Sequence, residues 1–82
     1  MKIFLWRHNR RFQSWSMMNE PDVHEDFYLD AVLIVAARTE EDALRLVAAR
    51  EPAWRVEELR RLRPKVFAGD APAVVFADVR GD

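Results

Sequence analysis

The segment Phe27–Ala37 constrains the fold of this chain more than any other part of the sequence. Its first half alternates apolar and polar residues, and its second half, Ala31–Ala37 (AVLIVAA), is apolar at every position. Alternation is typical of a strand with one covered face, whereas a continuous apolar run indicates a strand that is covered on both faces. The sequence therefore predicts a central β-strand here, and other segments must cover both of its sides.

A helix is predicted directly after this strand. Thr39 is a favourable N-cap, Asp42 completes a capping box with it, and acidic residues fill the first turn, where the helix dipole favours them. The apolar residues at helical spacing predict the side that faces the core: Ala43, Leu46 and Val47, with Leu44 at its border. Pro52 ends the helix, because the residue before a proline resists helical angles.

Three further segments are predicted to be strands. Lys2–His8 is rich in apolar and aromatic residues, and Ala73–Val79 (AVVFADV) is an apolar run with strand composition. Trp54–Leu62 is ambiguous, because its apolar residues fit both an alternating pattern and a spacing of three. We interpret it as a strand with a bulge near Glu58, and a second helix is the alternative. Residues 63–72 are predicted to be a turn region.

The stretch between the first two strands shows no period and is predicted to be a loop over residues 9–26. The chain is therefore predicted to be a single α+β domain spanning residues 1–82. Its small, mostly antiparallel sheet follows the order β-loop-β-α-β-β, with one helix packed on one face. Because one helix cannot cover both faces, we expect the loop, a second copy of the chain or another partner to cover the second face.

Composition narrows the classes of function. Cysteine is absent, which excludes disulfides, thiolate catalysis and cysteine-based zinc sites, and favours a cytoplasmic location. The apolar runs are too short for a membrane span, and the N-terminal residues do not have the pattern of a secretory signal. The two glycines, Gly69 and Gly81, do not form a glycine-rich phosphate-binding loop.

Residues that carry catalysis are sparse in this sequence. Ser14 and Ser16 do not lie in a nucleophile motif. His8 and His24 match no spacing typical of metal ligands. We therefore predict that the chain is not an enzyme and has no metal site or cofactor.

The predicted loop carries the residues that we expect to bind a partner. Trp15, Met17 and Met18 are large apolar residues in a polar segment, and such residues are enriched at the centre of protein interfaces. The alternative is that they fold back as a lid over the uncovered face of the sheet. Nearby carboxylates would steer the loop towards a basic surface of a host protein complex: Glu20, Asp22, Glu25 and Asp26.

A basic and aromatic stretch near the N-terminus gives a second hypothesis. Arg7, Arg10 and Arg11 are interleaved with aromatic residues, a combination that binds single-stranded nucleic acid through phosphate contacts and base stacking. The acidic segment that follows and the formal net charge of −1 are not typical of a protein that coats nucleic acid. A third hypothesis is a small structural homodimer, packed through the uncovered face of the sheet.

Two segments resemble small phage- and prophage-encoded proteins of unknown function. The strand-to-helix unit from Tyr28 to Ala43 resembles their pattern Y-x-x-x-V-V-x-A-x-x-E-E-x-A, and Ala73–Gly81 resembles their closing strand. The resemblance extends over residues 1–8 and 27–82, and it implies no catalytic residues. A small protein of this type, without cysteine or catalytic residues, is similar in kind to inhibitors of host defence, including anti-CRISPR proteins. On this basis we predict a non-enzymatic protein-binding module that occupies a surface of a host defence complex.

Overall fold

The computed structural model describes residues 1–9, 21–69, 72–77 and 79. In chain order, the elements are β1 (Lys2–Asn9), β2 (Asp30–Ala37), α1 (Glu40–Arg50), α2 (Val56–Leu59) and β3 (Lys65–Ala68). The predicted class is confirmed: this is a small α+β fold with an antiparallel sheet. No helix in the described ranges is long and apolar enough to cross a membrane.

The sheet has the strand order β2-β1-β3, with β1 antiparallel to both neighbours. The central strand is therefore β1, and the prediction that β2 is central is wrong. The register between β1 and β2 extends from Lys2 opposite Ala37 to Asn9 opposite Asp30. Because β2 and β3 are both antiparallel to β1, they run in the same direction. Strands of the same direction need a crossover connection, and α1 and α2 lie within it.

The register divides the side chains between two faces of the sheet, because opposed residues of an antiparallel pair share a face. We call the side covered by α1 the helix face and the other side the open face. The helix face carries Phe4, Trp6 and His8 of β1 and Ala31, Leu33, Val35 and Ala37 of β2. The open face carries Ile3, Leu5 and Arg7 of β1, Asp30, Val32, Ile34 and Ala36 of β2, and Lys65 and Phe67 of β3.

The hydrophobic core lies between the helix face and the two helices. Its buried members are Phe4, Trp6, Val23, Ala31, Val35, Ala37, Ala43, Leu44, Val47 and Leu59. Leu44, which we expected at the border of the helix, is fully buried, whereas Leu46 is only partly buried. The reason is that α1 contacts both β2 and α2, so its buried side is wider than packing on the sheet alone requires.

The ends of α1 follow the predicted signals. Thr39 is extended, and its hydroxyl oxygen accepts a hydrogen bond of 3.1 Å from the backbone N–H of Asp42. At the other end, the N–H of Glu51 donates to the carbonyl of Val47, and Pro52 follows. The helix is therefore bounded by local chemistry that the sequence displays.

The predicted strand over Trp54–Leu62 is wrong, and the helical alternative is correct for part of it. Trp54 forms an isolated bridge with His24, and the chain then turns into α2. In this short helix the N–H of Leu59 donates to the carbonyl of Arg55. Leu59 is fully buried next to α1. The apolar residues spaced by three therefore mark the side of the segment that packs on the core.

The predicted strand over Ala73–Val79 is also wrong. Residues 72–77 and 79 form no strand, and the third strand lies at Lys65–Ala68, inside the predicted turn region. Because β2 pairs with one edge of β1 and β3 pairs with the other, β1 has no unpaired edge along Lys2–Leu5 for residues 73–79. The strand ends at Ala68 and is followed by Gly69, whose φ of 85° lies in the left-handed region that favours glycine.

The predicted loop over residues 9–26 is described only at its two ends. Asn9 is the last residue of β1, so the strand is one residue longer than predicted. Residues 10–20 lie outside the described part of the chain. Residues 21–26 are described, and Val23 among them belongs to the core.

Candidate functional site

The segment of residues 22–26 is attached to the chain that follows α1. The N–H of Glu25 donates to the carbonyl of Ala53 at 2.9 Å, and the N–H of Arg55 donates to the carbonyl of Val23 at 2.7 Å. These two hydrogen bonds form a short antiparallel bridge, and the buried side chain of Val23 anchors it in the core. The backbone that carries the acidic residues of this segment is therefore anchored to the rest of the fold.

His24 has a structural position in this bridge. Its ring lies edge-on to Trp54, with ring centroids 5.0 Å apart. Its Nδ1 accepts a hydrogen bond of 3.0 Å from the backbone N–H of Asp26. Because an accepting ring nitrogen carries no proton, the 3.9 Å contact from Nδ1 to the Asp26 carboxylate is not a charge-assisted hydrogen bond.

A second contact joins the segment to the end of β1. The hydroxyl oxygen of Tyr28 accepts a hydrogen bond of 3.0 Å from the N–H of Val23 and lies 2.7 Å from Nδ1 of His8. This arrangement lets Tyr28 donate its single hydroxyl proton to His8, whose ring is buried. Tyr28 thus fixes the path of the chain immediately before β2.

An exposed phenylalanine stands between these anchored residues and β2. Phe27 is 82% exposed, and it directly follows Glu25 and Asp26, which are both exposed. We call Glu25, Asp26 and Phe27 the acidic-aromatic corner. Asp22 lies apart from this group, 3.9 Å from the guanidinium of Arg55.

Sequence reasoning identified the two carboxylates of this corner and missed Phe27. The alternating pattern placed Phe27 in a strand, but β2 begins only at Asp30. Four other predicted contact residues lie outside the described residues: Trp15, Met17, Met18 and Glu20. Whether they form a lid or a contact surface stays a prediction.

The arginines of the nucleic-acid hypothesis fall into two groups. Arg10 and Arg11 lie outside the described residues. Arg7 lies on the open face, where it donates to both carboxylate oxygens of Asp30 at 3.1 and 2.9 Å. Its guanidinium carbon also lies 5.6 Å from the centre of the Phe76 ring. The charge of Arg7 is therefore compensated by a carboxylate within the fold.

The segment 72–77 contributes to covering the open face. Val74, Val75, Phe76 and Ala77 line a groove together with Leu5, Arg7, Lys65 and Phe67 of the sheet. Leu5 is only 5% exposed, although it points away from α1. Towards β2 the cover ends, and Ile34 is 47% exposed. Part of the cover of this face is thus supplied by a segment of the same chain that the sequence predicts to be a strand.

One ion pair connects the two helices. The guanidinium of Arg60, directly after α2, donates to both carboxylate oxygens of Glu41 in the first turn of α1, and to Glu57 at 3.3 Å. The hydrogen bond from Arg60 holds the pKa of Glu41 below its ordinary value of 4.5. The same contacts raise the pKa of Arg60. Arg60 is therefore engaged with carboxylates of its own chain.

Within the described ranges, histidine and acidic side chains form no group of three that could hold a metal ion. Comparisons with known protein families, with curated proteins and with solved structures find no match for this chain. The resemblance to phage-encoded proteins therefore stays a prediction.

Proposed function

We propose that this chain is a non-catalytic protein-binding module that contacts its partner through the acidic-aromatic corner. The observation that carries the proposal is the 82% exposure of Phe27 beside two exposed carboxylates. Burial of a phenylalanine side chain is worth roughly 1.5–3 kcal/mol, so its exposure leaves this free energy for a partner to gain.

The anchoring of the corner supports the same proposal. Binding costs less free energy when the contact residues are already ordered in the free protein. Here the backbone bonds to Ala53 and Arg55 and the hydroxyl of Tyr28 hold both sides of the corner. Phe27 would thus enter a partner's pocket without prior folding of its own segment.

The charges define the chemistry of the proposed partner. Glu25 and Asp26 favour a basic protein surface, and they would speed association through electrostatic attraction. Phe27 favours an apolar pocket within that surface, because central aromatic residues contribute most to binding. A protein surface that itself binds nucleic acid combines such a basic rim with apolar pockets. This chemistry supports the more specific proposal that the chain is an inhibitor that occupies a surface of a host defence complex.

The single-stranded nucleic-acid alternative has less support. It depends on arginines that are free to contact phosphates, and Arg7 is engaged by Asp30 and stacked near Phe76. Breaking this pair would cost free energy before any phosphate could be bound.

The test compares three variants as bait in lysates of cells that express CRISPR–Cas and other defence complexes, followed by calorimetry with the purified captured protein. Phe27→Ala is expected to weaken binding about tenfold or more, as truncation of a central aromatic does. Glu25→Gln combined with Asp26→Asn should slow association and reduce its dependence on salt. Val74→Ala is the matched control, because Val74 is 80% exposed and lies on the open face instead.

Each outcome bears on one part of the proposal. Recovery of no defence complex would reject the inhibitor, and equal binding by the Phe27→Ala variant and the wild type would reject the corner as the contact surface. Trp15→Ala together with Met17→Ala tests the neighbouring loop. Loss of binding with an unchanged circular dichroism spectrum would add these residues to the interface, and loss of the fold would make them a lid.

A further inference from the structure

One ring atom of His24 lies next to two groups of the same residue, Asp26. Its Nδ1 accepts a hydrogen bond of 3.0 Å from the backbone N–H of Asp26. The carboxylate of Asp26 lies 3.9 Å from the same nitrogen, beyond hydrogen-bond distance. One group is a donor and the other is an acceptor, so the protonation state of Nδ1 determines which of them the ring can bind.

A proton on Nδ1 exchanges these two partners. A neutral ring that accepts at Nδ1 carries its proton on Nε2, whereas a charged ring donates from both nitrogens. A protonated Nδ1 and the N–H of Asp26 are both donors, so the hydrogen bond between them is lost. The Asp26 carboxylate, whose side chain is 83% exposed, is then the acceptor beside the ring. A movement of about 1 Å brings it to the distance of a charge-assisted hydrogen bond.

The bridge between His24 and Trp54 brings two charged segments together. Their charged residues, on the segment of His24 and on the segment after α1, are Asp22, Glu25, Asp26, Glu51 and Arg55. Asp22 and Arg55 lie 3.9 Å apart and compensate each other. Glu25 forms no ion pair with the residues that the structure describes. The charge that remains along the two segments is therefore negative.

The third element near the ring is α2, which follows Trp54. The Trp54 ring packs edge-on against His24, and Glu57 and Glu58 line a groove with it. Both glutamates are paired with arginines that follow them, at 3.3 and 2.8 Å. The carboxylates of α2 are thus compensated locally. Among the described residues, Asp26 supplies the one carboxylate within 4 Å of Nδ1.

We propose that His24 is a proton-dependent switch of the acidic-aromatic corner. Histidine is the side chain that ordinarily changes charge between about pH 5 and 8. With a neutral ring, Nδ1 holds the backbone of Asp26, and both Glu25 and Asp26 are exposed. With a charged ring, the backbone N–H is released and the Asp26 carboxylate turns to the ring. The corner then presents one uncompensated carboxylate in place of two.

The switch also acts on Phe27 through the backbone. The backbone bond to Ala53 and the hydroxyl of Tyr28 remain as anchors on the two sides of the corner. Asp26 lies between these anchors, so loss of its hydrogen bond frees the residue directly before Phe27. The consequence is weaker binding of a basic partner in acid, and this part rests on the proposed function. The exchange at Nδ1 does not depend on it.

The first experiment is a pH titration of the nitrogen-15-labelled protein by NMR, between about pH 8 and pH 5. At high pH, the ring of His24 should show an unprotonated Nδ1 and a protonated Nε2. As the ring gains its second proton, the amide signal of Asp26 should shift with the same midpoint, and the Phe27 amide should follow. An Asp26 amide that does not shift with the ring would overturn the proposal. So would a high-pH ring that is protonated at Nδ1.

The chain has a second histidine, His8, which the titration must separate from His24. The ring of His8 contacts the hydroxyl of Tyr28 beside the corner, so its protonation is an alternative cause of a shift. His24→Phe keeps an aromatic ring against Trp54 and removes the titrating nitrogen. The shift of the Asp26 amide should disappear in this variant. A shift that persists in His24→Phe would assign it to His8 and reject the switch.

A second measurement reports the charge of the corner without a partner. A cationic and an anionic nitroxide are added separately, and the relaxation that each causes at the Phe27 amide is compared. The cationic probe should have the larger effect at high pH, and its excess should fall as His24 gains its proton. In His24→Phe the excess should stay constant over the same pH range. An excess that falls equally in both proteins would contradict the proposed change of charge.

Failure of the switch is distinguishable from failure of the proposed function. If Phe27→Ala binds its partner as the wild type does, the corner is not the contact surface, but the Asp26 amide should still titrate with the His24 ring. If the amide does not titrate with the ring, the switch is rejected, and the binding experiment with Phe27→Ala keeps its meaning.

Discussion

The two faces of this sheet are covered by different kinds of interaction. On the helix face, Leu44 and Leu59 are fully buried in a core whose buried members are all apolar. On the open face, a segment without regular structure lies near the ion pair between Arg7 and Asp30, and Phe76 stacks near the guanidinium. The helix face is closed by apolar packing against two helices, whereas the open face is closed in part by an irregular segment, with an ion pair and a cation–aromatic contact beside it.

The difference predicts different responses to change. Apolar packing is sensitive to lost volume and is little affected by salt. An ion pair near the surface depends on both partners and is weakened by salt. Variants on the two faces should therefore be distinguishable by the size of their effect and by its salt dependence.

The largest effect is expected on the helix face. Leu44→Ala removes a fully buried side chain and leaves a cavity, which lowers the free energy of unfolding by about 2–5 kcal/mol. Ile34→Ala on the open face should cost less than about 1 kcal/mol, since Ile34 is half exposed. Urea denaturation followed by circular dichroism measures both, with the protein kept dilute enough to be a single species. Similar losses for the two variants would mean that the open face is as well packed as the helix face.

A smaller effect is expected from the ion pair of the open face. Arg7→Met keeps much of the apolar stem but removes both hydrogen bonds to Asp30, whose side chain is only 5% exposed. Because hydrogen bonds from a charged donor to a desolvated carboxylate are strong, we expect the free energy of unfolding to fall by about 1.5–3 kcal/mol. The difference in the free energy of unfolding between the wild type and Arg7→Met should become smaller in high salt. The corresponding difference for Leu44→Ala should not change.

Arg7→Lys is the matched control for this prediction. Lysine keeps the charge but not the planar pair of donors, so its stability should lie between those of the wild type and the Arg7→Met variant. If Arg7→Met is as stable as the wild type, the pair on the open face contributes nothing and the contrast between the faces is wrong.

The elements that the sequence predicted well are those with long, local signals. β1, β2 and α1 each have at least eight residues, and Thr39 marks the helix start by its own hydrogen bond. β3 has only four residues between Pro64 and Gly69, too few for a period to be recognised. The segment 73–79 has a composition more typical of a strand than β3 has. A strand also needs an unpaired edge to pair with, and the sequence does not show which segment pairs with the second edge of β1.

The candidate site shows the same limit. Glu25 and Asp26 were identified because acidic residues in a polar stretch are visible in sequence. Phe27 was missed because its exposure depends on Tyr28, whose hydroxyl accepts the N–H of Val23 and directs the chain before β2 begins. Such a contact between a side chain and a backbone group five residues away has no signature in a single sequence. Exposure of an aromatic residue could therefore be found only in the structure.

The smallest effect is expected at the ion pair between the two helices that cover the helix face. Arg60→Gln removes the hydrogen bonds that lower the pKa of Glu41, so that pKa should rise towards 4.5. A lowered pKa in the folded protein stabilises the fold above the unfolded pKa. This stabilisation is lost as the pH falls through the folded pKa, because the carboxylate is then protonated in both states.

The stability difference between the wild type and Arg60→Gln should therefore be present at neutral pH and disappear in acid. Carbon-13 NMR of the Glu41 carboxyl measures the pKa directly, and urea denaturation at several pH values measures the stability. Arg61→Gln is the matched control, because Arg61 donates to Glu58 and makes no described contact with Glu41. A rise in the pKa of Glu41 in both variants would assign the shift to the general positive charge around α2. A rise in the pKa of Glu41 in Arg60→Gln alone would show that a specific ion pair also borders the helix face. The two faces would then differ in their buried contacts and not in whether an ion pair lies at their surface.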